Sequence, residues 1–185
     1  CKTDQELMGR KEISRQALFD SIIRASSFEF NIDVHFIPMK INYKEIKDIL
    51  EILEIAKVDN ISILNFIPQG RGKNNKDRLL LSDKEKEEFL KILEETKEYY
   101  SGNIRVGIAF SGDETHRCNA GLEKLDIKFD GTVLPCPAFK ELTEEECKKF
   151  NIKLPNIYTD LESVKIPGKG KRVHQLCKQI YQNKK

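Results

Sequence analysis

The sequence contains no apolar run of about 18 residues, the length that a membrane-spanning helix requires. It has no internal repeat of the length found in solenoid proteins, and its polar start at Cys1 is neither a signal peptide nor a transit peptide. These absences argue against a membrane protein and a repeat protein. Without an export signal, we expect a cytoplasmic protein with reduced thiols. A start at Cys1 is typical of a processed protein or of a fragment of a longer chain.

The sequence also lacks a large excess of positive or negative charge. The 185 residues include 32 basic and 30 acidic side chains, a formal net charge of +2 that does not by itself indicate nucleic acid as a partner. A basic cluster around His174 and Cys177 lacks the interleaved aromatic residues that nucleic-acid binding uses. The 39% hydrophobic and 34% charged residues indicate a globular protein of one domain, or one domain with a small appendage.

The five cysteines are an odd number, which argues against a pure disulfide framework. Apart from Cys1, all of them lie in the C-terminal half, and four is the number of ligands in a zinc or iron–sulfur site. The paired CxxC spacing of zinc sites is absent. A third interpretation is that the cysteines only pack in the interior. The four candidate metal ligands are Cys118, Cys136, Cys147 and Cys177.

Helical and strand patterns alternate through the first 110 residues, which is typical of parallel βα units. We predict helices at 14–28, 43–56 and 82–100 and strands at 31–38, 60–68 and 103–110. The first two strands are nearly continuous in apolar residues, so we expect them to be buried on both faces. Three units cannot close an eight-stranded barrel. The predicted fold class is therefore α/β, with either a small open sheet or the back part of a larger barrel.

Three helix starts are predicted from capping boxes, in which a polar side chain and a glutamate three residues later bond each other's backbone N–H. The pairs are Asn42 with Glu45, Ser82 with Glu85, and Thr143 with Glu146.

Ligands of parallel α/β proteins bind where the strands end. Here the predicted strands end in Pro38 and Pro68, and the second is followed by a polar loop, 69–78, that carries Arg71. The guanidinium of Arg71 has the fork geometry that binds a carboxylate. The alternative is an ordinary charged surface loop. His35, in the middle of its strand, is expected to be a hydrogen-bonded core histidine unless it is a ligand.

A β-hairpin is predicted within Arg117–Lys140, because Asp130-Gly131 separates two short apolar arms. Leu125, Ile127 and Phe129 alternate with polar residues on the first arm, so they share one face. A hairpin brings its ends together, which would place Cys118 and Cys136 within reach of one metal site. The pattern changes near 111–117, and we predict two domains, 1–112 and 113–185.

The stretch from Cys118 through Gly131 to Cys136 resembles the opening signature of the SPASM and twitch domains. These are auxiliary iron–sulfur modules at the C-termini of many radical S-adenosylmethionine (SAM) enzymes. The upstream segments DVHFIPMKINYKEI and ISILNFIPQGRG resemble the fifth and sixth strands of a radical SAM barrel. The hairpin residues that carry the resemblance are Cys118, Ala120-Gly121, Leu125-Asp126-Ile127, Asp130-Gly131, Val133 and Pro135-Cys136.

The resemblance implies a partial (β/α) barrel followed by a small SPASM/twitch-like domain with an auxiliary [4Fe–4S] cluster. It implies a peptide or protein substrate, an external electron donor, and the missing N-terminal half of the barrel as a partner. In the intact enzyme it implies SAM and a second [4Fe–4S] cluster. The positions that it places in the SAM pocket are His35, Pro38, Asn42, Ile67, Gln69 and Arg71.

Two departures from the family limit these expectations. The CxxxCxxC motif that holds the SAM-cleaving cluster is absent, as is the glycine-rich SAM motif that follows it, so we do not expect activity from this chain alone. After Cys136 only Cys147 and Cys177 remain, which matches a single auxiliary cluster, the twitch arrangement. The alternative function is a zinc-containing or metal-free α/β binding module.

Overall fold

The protein is described by a computed structural model in which residues 15–28, 30–107, 110, 120 and 125–160 are placed. The chain divides into two compact units, Cys1–Asp113 and Glu114–Lys185. Among the described residues, no helix combines the length and apolar character that crossing a membrane requires. The assignment of the two parts to a barrel and a cluster domain stays a prediction.

The first unit alternates helices and strands in the predicted order. It also contains 3-10 turns at Tyr43–Glu45 and Lys97–Tyr99. Its strands are β1 (Asp33–Phe36), β2 (Asn60–Ile63) and β3 (Asn103–Val106). Its helices are α1 (Arg15–Ser26), α2 (Ile46–Ile55), α3 (Arg71–Asn74), α4 (Lys76–Leu79) and α5 (Asp83–Thr96).

The three strands form one parallel sheet in the order β1-β2-β3. Parallel neighbours need a crossover connection, and here α2 connects β1 to β2 while α3 to α5 connect β2 to β3. The prediction of a mixed α/β fold with a parallel sheet is therefore confirmed. Each strand is four residues long, shorter than the eight or nine predicted.

The sheet has one apolar face and one polar face. Its register aligns Val34 with Ile61 and Ile104 on the apolar face, and His35 with Ser62 and Arg105 on the polar face. Ile61 belongs to the hydrophobic core, and Val34 and Ile104 pack against that core. The prediction that the strands are buried on both faces is wrong for β1, where Asp33 and His35 are exposed. Apolar residues that looked continuous belong partly to the loops on either side of the strand.

The core lies between the apolar sheet face and helices α2 and α5. Phe89 of α5 and Leu50 of α2 are almost completely buried, and Phe89 packs its ring against Phe36 and Phe110. Burying an aromatic side chain of this size provides about 2–3 kcal/mol or more of hydrophobic stabilisation. This packing fixes the strands, and with them the loops at their carboxyl ends.

The capping predictions differ in outcome. Ser82 forms the predicted capping box with Glu85 at the start of α5. Asn42 does not: its side chain makes no cap hydrogen bond to the turn that follows. The side-chain oxygen instead accepts the N–H of Met39, 2.7 Å away, so it closes the preceding loop. The side chain of Asn42 therefore forms a local hydrogen bond to the preceding loop in place of the predicted helix cap.

The second unit contains the predicted hairpin. Strands β4 (Asp126–Ile127) and β5 (Val133–Leu134) are antiparallel, with Ile127 opposite Val133. Gly131 in the turn has a φ of +82°, which glycine adopts without a steric penalty. The hairpin ends in a 3-10 turn, Pro137–Phe139, which precedes helix α6 (Glu144–Lys149) with the predicted Thr143–Glu146 capping box.

A third segment pairs with the far side of β5. The N–H of Val133 donates to Pro155 O at 2.8 Å, and the N–H of Ile157 donates to Gly131 O at 3.0 Å. The side chain of Asn156 also donates to Asp130 O at 2.8 Å. The hairpin is therefore supported by a later part of the chain, and the side chains of Val133 and Leu134 are buried.

Candidate functional site

The loops at the carboxyl ends of β1 and β2 are in direct contact. The backbone N–H of Lys40 donates to Leu79 O at 3.0 Å, and its ammonium group donates to Asp77 O at 2.8 Å. Lys40 follows β1, whereas Asp77 and Leu79 belong to α4 in the connection after β2. The two segments predicted to line a ligand pocket are thus neighbours at the same edge of the sheet.

Several predicted pocket residues have structural roles in the loop after β1. Pro38 is fully buried. Both polar ends of the Asn42 side chain are used within the loop, because the oxygen accepts from Met39 and the nitrogen donates to Ile37 O at 3.2 Å. Asn42 therefore shapes the loop after β1.

The predicted residues after β2 are more accessible. Ile67 and Gln69 are half-buried, and Arg71 is exposed at the start of α3. Gly70 precedes it with a φ of +53°, and no atom lies within 4 Å of the position that a β-carbon would take there, so a ligand can approach the backbone from that side. The segment 69–78, predicted to be a loop, instead contains the short helices α3 and α4.

His35 is not a core histidine, because its side chain is 60% exposed on the polar sheet face. Its Nε2 lies 3.6 Å from Oδ2 of Asp33. The other carboxylate oxygen of Asp33 accepts the hydroxyl of Ser62 at 3.3 Å. Asp33 thus links a histidine on its own strand to a serine on the central strand.

The polar sheet face is the part of the candidate site that the sequence analysis missed. Of its residues, only His35 was identified as a candidate. The signal was present: polar residues alternate at Asp33/His35, Asn60/Ser62 and Asn103/Arg105, two in each strand. Reading each strand as four residues, and not as eight or nine, would have separated the two faces.

A surface depression of about 330 Å³ lies at the opposite, amino-terminal end of the strands. The carboxylate of Glu54 crosses it and accepts the N–H of Ser101 at 2.6 Å and its hydroxyl at 3.0 Å. Since Glu54 is committed to this loop contact, the depression joins α2 to the segment before β3. We assign it a structural role.

Of the four predicted metal ligands, Cys136 and Cys147 are described, and Cys118 and Cys177 lie outside the described residues. Both described thiols are half-buried, and neither forms a disulfide with a described residue. Cys136 follows β5 directly before the 3-10 turn, and Cys147 lies on α6. Within the described ranges, no group of three or more metal-ligating side chains comes together.

The surroundings of Cys147 favour the protonated thiol. Burial raises its pKa, and the neighbouring carboxylates of Glu146 and Glu144 raise it further. Metal binding requires the thiolate. A bound metal or cluster therefore has to supply the positive charge that stabilises the thiolate of Cys147.

Comparison with known proteins gave no relatives: no family model, no curated protein and no solved structure matches this chain. The functional argument consequently depends on the residues and their geometry.

Proposed function

We propose that this chain is part of a radical SAM enzyme, in which it binds an auxiliary [4Fe–4S] cluster and contributes to the SAM and substrate pocket. The observation that carries the proposal is the β4–β5 hairpin, which ends two residues before Cys136. A hairpin between Cys118 and Cys136 is the arrangement that the resemblance to SPASM and twitch domains implies. Cys147 and Cys177 complete the proposed ligand set.

The described cysteines fit an iron–sulfur cluster in their chemistry. Thiolates are the usual ligands of such clusters, and Cys136 and Cys147 are half-buried and not oxidised to disulfides with described residues. When bound, the cluster supplies one-electron transfer. The chain's own contribution is to hold the thiols. Cys136 lies after the hairpin, directly before the 3-10 turn, and Cys147 lies on α6, whose start is fixed by the capping box of Thr143.

The two faces of the sheet in the first unit support the proposal of a partial barrel. In a (β/α) barrel the helices cover the outer, apolar face of the strands, and the inner face carries functional side chains near the carboxyl ends. Here α2 and α5 pack on the apolar face, and the opposite face carries Asp33, His35 and Arg105. The missing strands would come from the N-terminal half of the barrel, the proposed partner.

The proposed SAM pocket lies at the carboxyl end of the sheet, where Lys40 joins the two loops. His35, Ile67, Gln69 and Arg71 are its proposed contacts, and Asn42 holds the loop after β1 in place. Among the described residues the exposed guanidinium of Arg71 makes no hydrogen bond or ion pair, so it is available for a carboxylate. The proposed substrate is a peptide or protein side chain, and an external donor supplies the electrons.

Cluster binding is tested by reconstituting the full chain with iron and sulfide in the absence of oxygen. We expect a brown protein with absorbance at about 400 nm and with stoichiometric iron and sulfide. Cys136→Ser should abolish most of the absorbance, because a ligand of the cluster is lost. Cys1→Ser is the matched control, since Cys1 is the one cysteine outside the proposed ligand set, and it should leave the spectrum unchanged.

The alternative is a zinc-containing or metal-free α/β binding module, and the raised pKa of Cys147 favours its metal-free form. Metal analysis of the protein purified without oxygen separates the possibilities. Zinc in place of iron would support a structural zinc site. A colourless protein that takes up neither metal, and in which Cys136→Ser changes little beyond local packing, would contradict the proposed function.

A further inference from the structure

The first arm of the hairpin exposes a row of apolar side chains. Leu125, Ile127 and Phe129 are 37%, 59% and 96% exposed, whereas Val133, directly opposite Ile127, is completely buried. Residues that lie opposite each other in an antiparallel pair point to the same face of the sheet. The apolar cover of this face therefore ends between β5 and β4. An exposed apolar row of this kind is typical of a contact surface.

The outer edge of β4 also has unused backbone groups. The N–H of Lys128 donates to Thr132 O and its carbonyl accepts the N–H of Gly131, both at 2.9 Å, so the backbone of Lys128 faces the rest of the hairpin. Backbone groups alternate in direction along a strand, and those of Ile127 consequently point away from β5. Among the described residues, no strand pairs with this edge. An unpaired edge can accept another strand.

We propose that this edge binds a second copy of the same chain, with the two β4 strands antiparallel about a two-fold axis at Ile127. In this register Ile127 lies opposite its own copy, and the two backbones exchange a pair of N–H···O bonds at that position. Leu125 of each copy then lies beside Phe129 at the hairpin tip of the other. Asp126 of each copy lies opposite Lys128 of the other.

The charges of the arm favour a second copy over other occupants. Asp126 and Lys128 flank Ile127 with opposite charge, so antiparallel pairing about Ile127 matches each charge with its opposite. The carboxylate of Asp126 makes no hydrogen bond or ion pair with a described residue. The ammonium group of Lys128 lies 3.0 Å from Asp130 and has three protons to donate, so it can serve both carboxylates. An axis centred on Asp126 would instead place two like charges opposite each other.

The interface is small, because β4 is two residues long and only a few apolar side chains accompany it. Contacts of this size give weak complexes, so we expect a dimer that forms as the protein concentration rises. All of the contact residues belong to the second unit, and none is a proposed cluster ligand. The inference therefore goes beyond the proposed function and does not depend on it.

Analytical ultracentrifugation of the full chain, without added iron and under reducing conditions that exclude an intermolecular disulfide, measures the association. We expect a monomer–dimer equilibrium. Asp126→Lys and Lys128→Glu should each raise the dissociation constant of the dimer at least about tenfold, because each replaces attraction by repulsion. An equal mixture of the two variants should restore association, since every altered position then faces an opposite charge.

Ile127→Asp and Ile55→Asp form a matched pair. The first should abolish the dimer, because two carboxylates would meet at the axis. The second changes an isoleucine that is 78% exposed on α2 in the first unit, and it should leave the dimer unchanged. This pair decides the question if Lys128→Glu, which also loses the ion pair with Asp130, does not fold.

Nuclear magnetic resonance of a mixture of ¹³C-labelled and unlabelled chains identifies the contact itself. We expect nuclear Overhauser effects between the Leu125 methyl groups of one copy and the Phe129 ring of the other. A chain that stays monomeric at the concentrations of this experiment would overturn the inference. Contacts of Ile127 found only within one molecule would do the same, because another segment of the chain would then cover the row. Neither outcome bears on iron binding at Cys136.

Discussion

The two units of the chain hold their sheets together by different means. In the first unit, three parallel strands lie on a continuous apolar core that α2 and α5 complete. In the second unit, β4 and β5 pair over only two residues each, and the turn is held by hydrogen bonds that Asp130 accepts from Thr132 and Asn156. The apolar residues of the first hairpin arm are not buried: Phe129 at its tip is 96% exposed.

This difference indicates that the same kind of substitution has different consequences in the two units. A core that is packed from both sides loses contacts and leaves a cavity when one side chain is shortened. A short hairpin depends on backbone geometry, because each of its few hydrogen bonds requires one conformation of the turn. We therefore expect the first unit to be sensitive to side-chain volume and the second to be sensitive to the turn.

The largest effect is expected for Phe89→Ala in the first unit. Phe89 is completely buried and contacts the rings of Phe36 and Phe110, so its loss leaves a cavity on the apolar face of the sheet. The free energy of unfolding should fall by about 3–5 kcal/mol. Chemical denaturation of the full chain, followed by circular dichroism, measures the change.

Tyr99→Ala is the matched control, because Tyr99 is an aromatic residue close to the same helix but mostly exposed. It should change the free energy of unfolding by no more than about 0.5 kcal/mol. Equal costs for the two substitutions would mean that the core of the first unit does not depend on side-chain volume, and the comparison between the units would be lost.

The second prediction tests the hairpin turn with Gly131→Ala. Gly131 has a φ of +82°, and an added methyl group would collide with the ring of Tyr158 and lie 2.8 Å from the side-chain oxygen of Asn156. Strain and collision together should destabilise the hairpin by about 1–3 kcal/mol. Amide hydrogen exchange at Val133 and Ile157, whose N–H groups bond across this segment, reports the local loss.

The collision is separated from the strain by repeating the substitution in Tyr158→Ala, because Tyr158 is mostly exposed and its ring is the group nearest to the added methyl. Without that ring, Gly131→Ala should cost less than it does in the unsubstituted chain. An unchanged cost would mean that contact between the turn and Tyr158 is not what makes the substitution damaging.

The sequence predicted the helices and strands of both units well where a local signal was sufficient. The alternation of patterns identified the parallel sheet, Asp130-Gly131 identified the hairpin, and Ser82 and Thr143 identified two helix starts. The hairpin turn and the two helix starts are each determined by residues within a few positions of one another, and the parallel sheet follows from the order of the helix and strand patterns. The sequence could therefore predict them without knowledge of the tertiary structure.

The candidate site was harder to predict because it depends on pairing across the sheet. His35 was identified, but Ser62 and Arg105 become its neighbours only through the register of three strands separated by long connections. Asn42 was expected to cap a helix, and it instead closes the loop before it. Both conformations use the same side-chain oxygen, and the local sequence does not determine which hydrogen bond forms.

The smallest effect is expected from the charge of Asp130, and it distinguishes the turn from the core by its pH dependence. The backbone N–H and the side chain of Thr132, together with Lys128, lower the pKa of this carboxyl from its ordinary value of 3.8 to about 2. A lowered pKa means that the folded hairpin prefers the ionised form. The stabilisation is thus complete above pH 3.8 and is lost as the pH falls through about 2.

Nuclear magnetic resonance measures this directly, because the amide proton of Thr132 donates to Asp130 at 3.0 Å and its shift should titrate with a midpoint at about pH 2. In Asp130→Asn, the amide oxygen can still accept the Thr132 N–H but does not titrate, so this transition should vanish while the hairpin persists at neutral pH. A midpoint at the ordinary value would contradict the contacts of the turn. Phe89 and its core neighbours are apolar and have no group that titrates in this range. An acid-dependent loosening confined to 126–134 would therefore separate a turn held by charge and hydrogen bonds from a sheet held by packing.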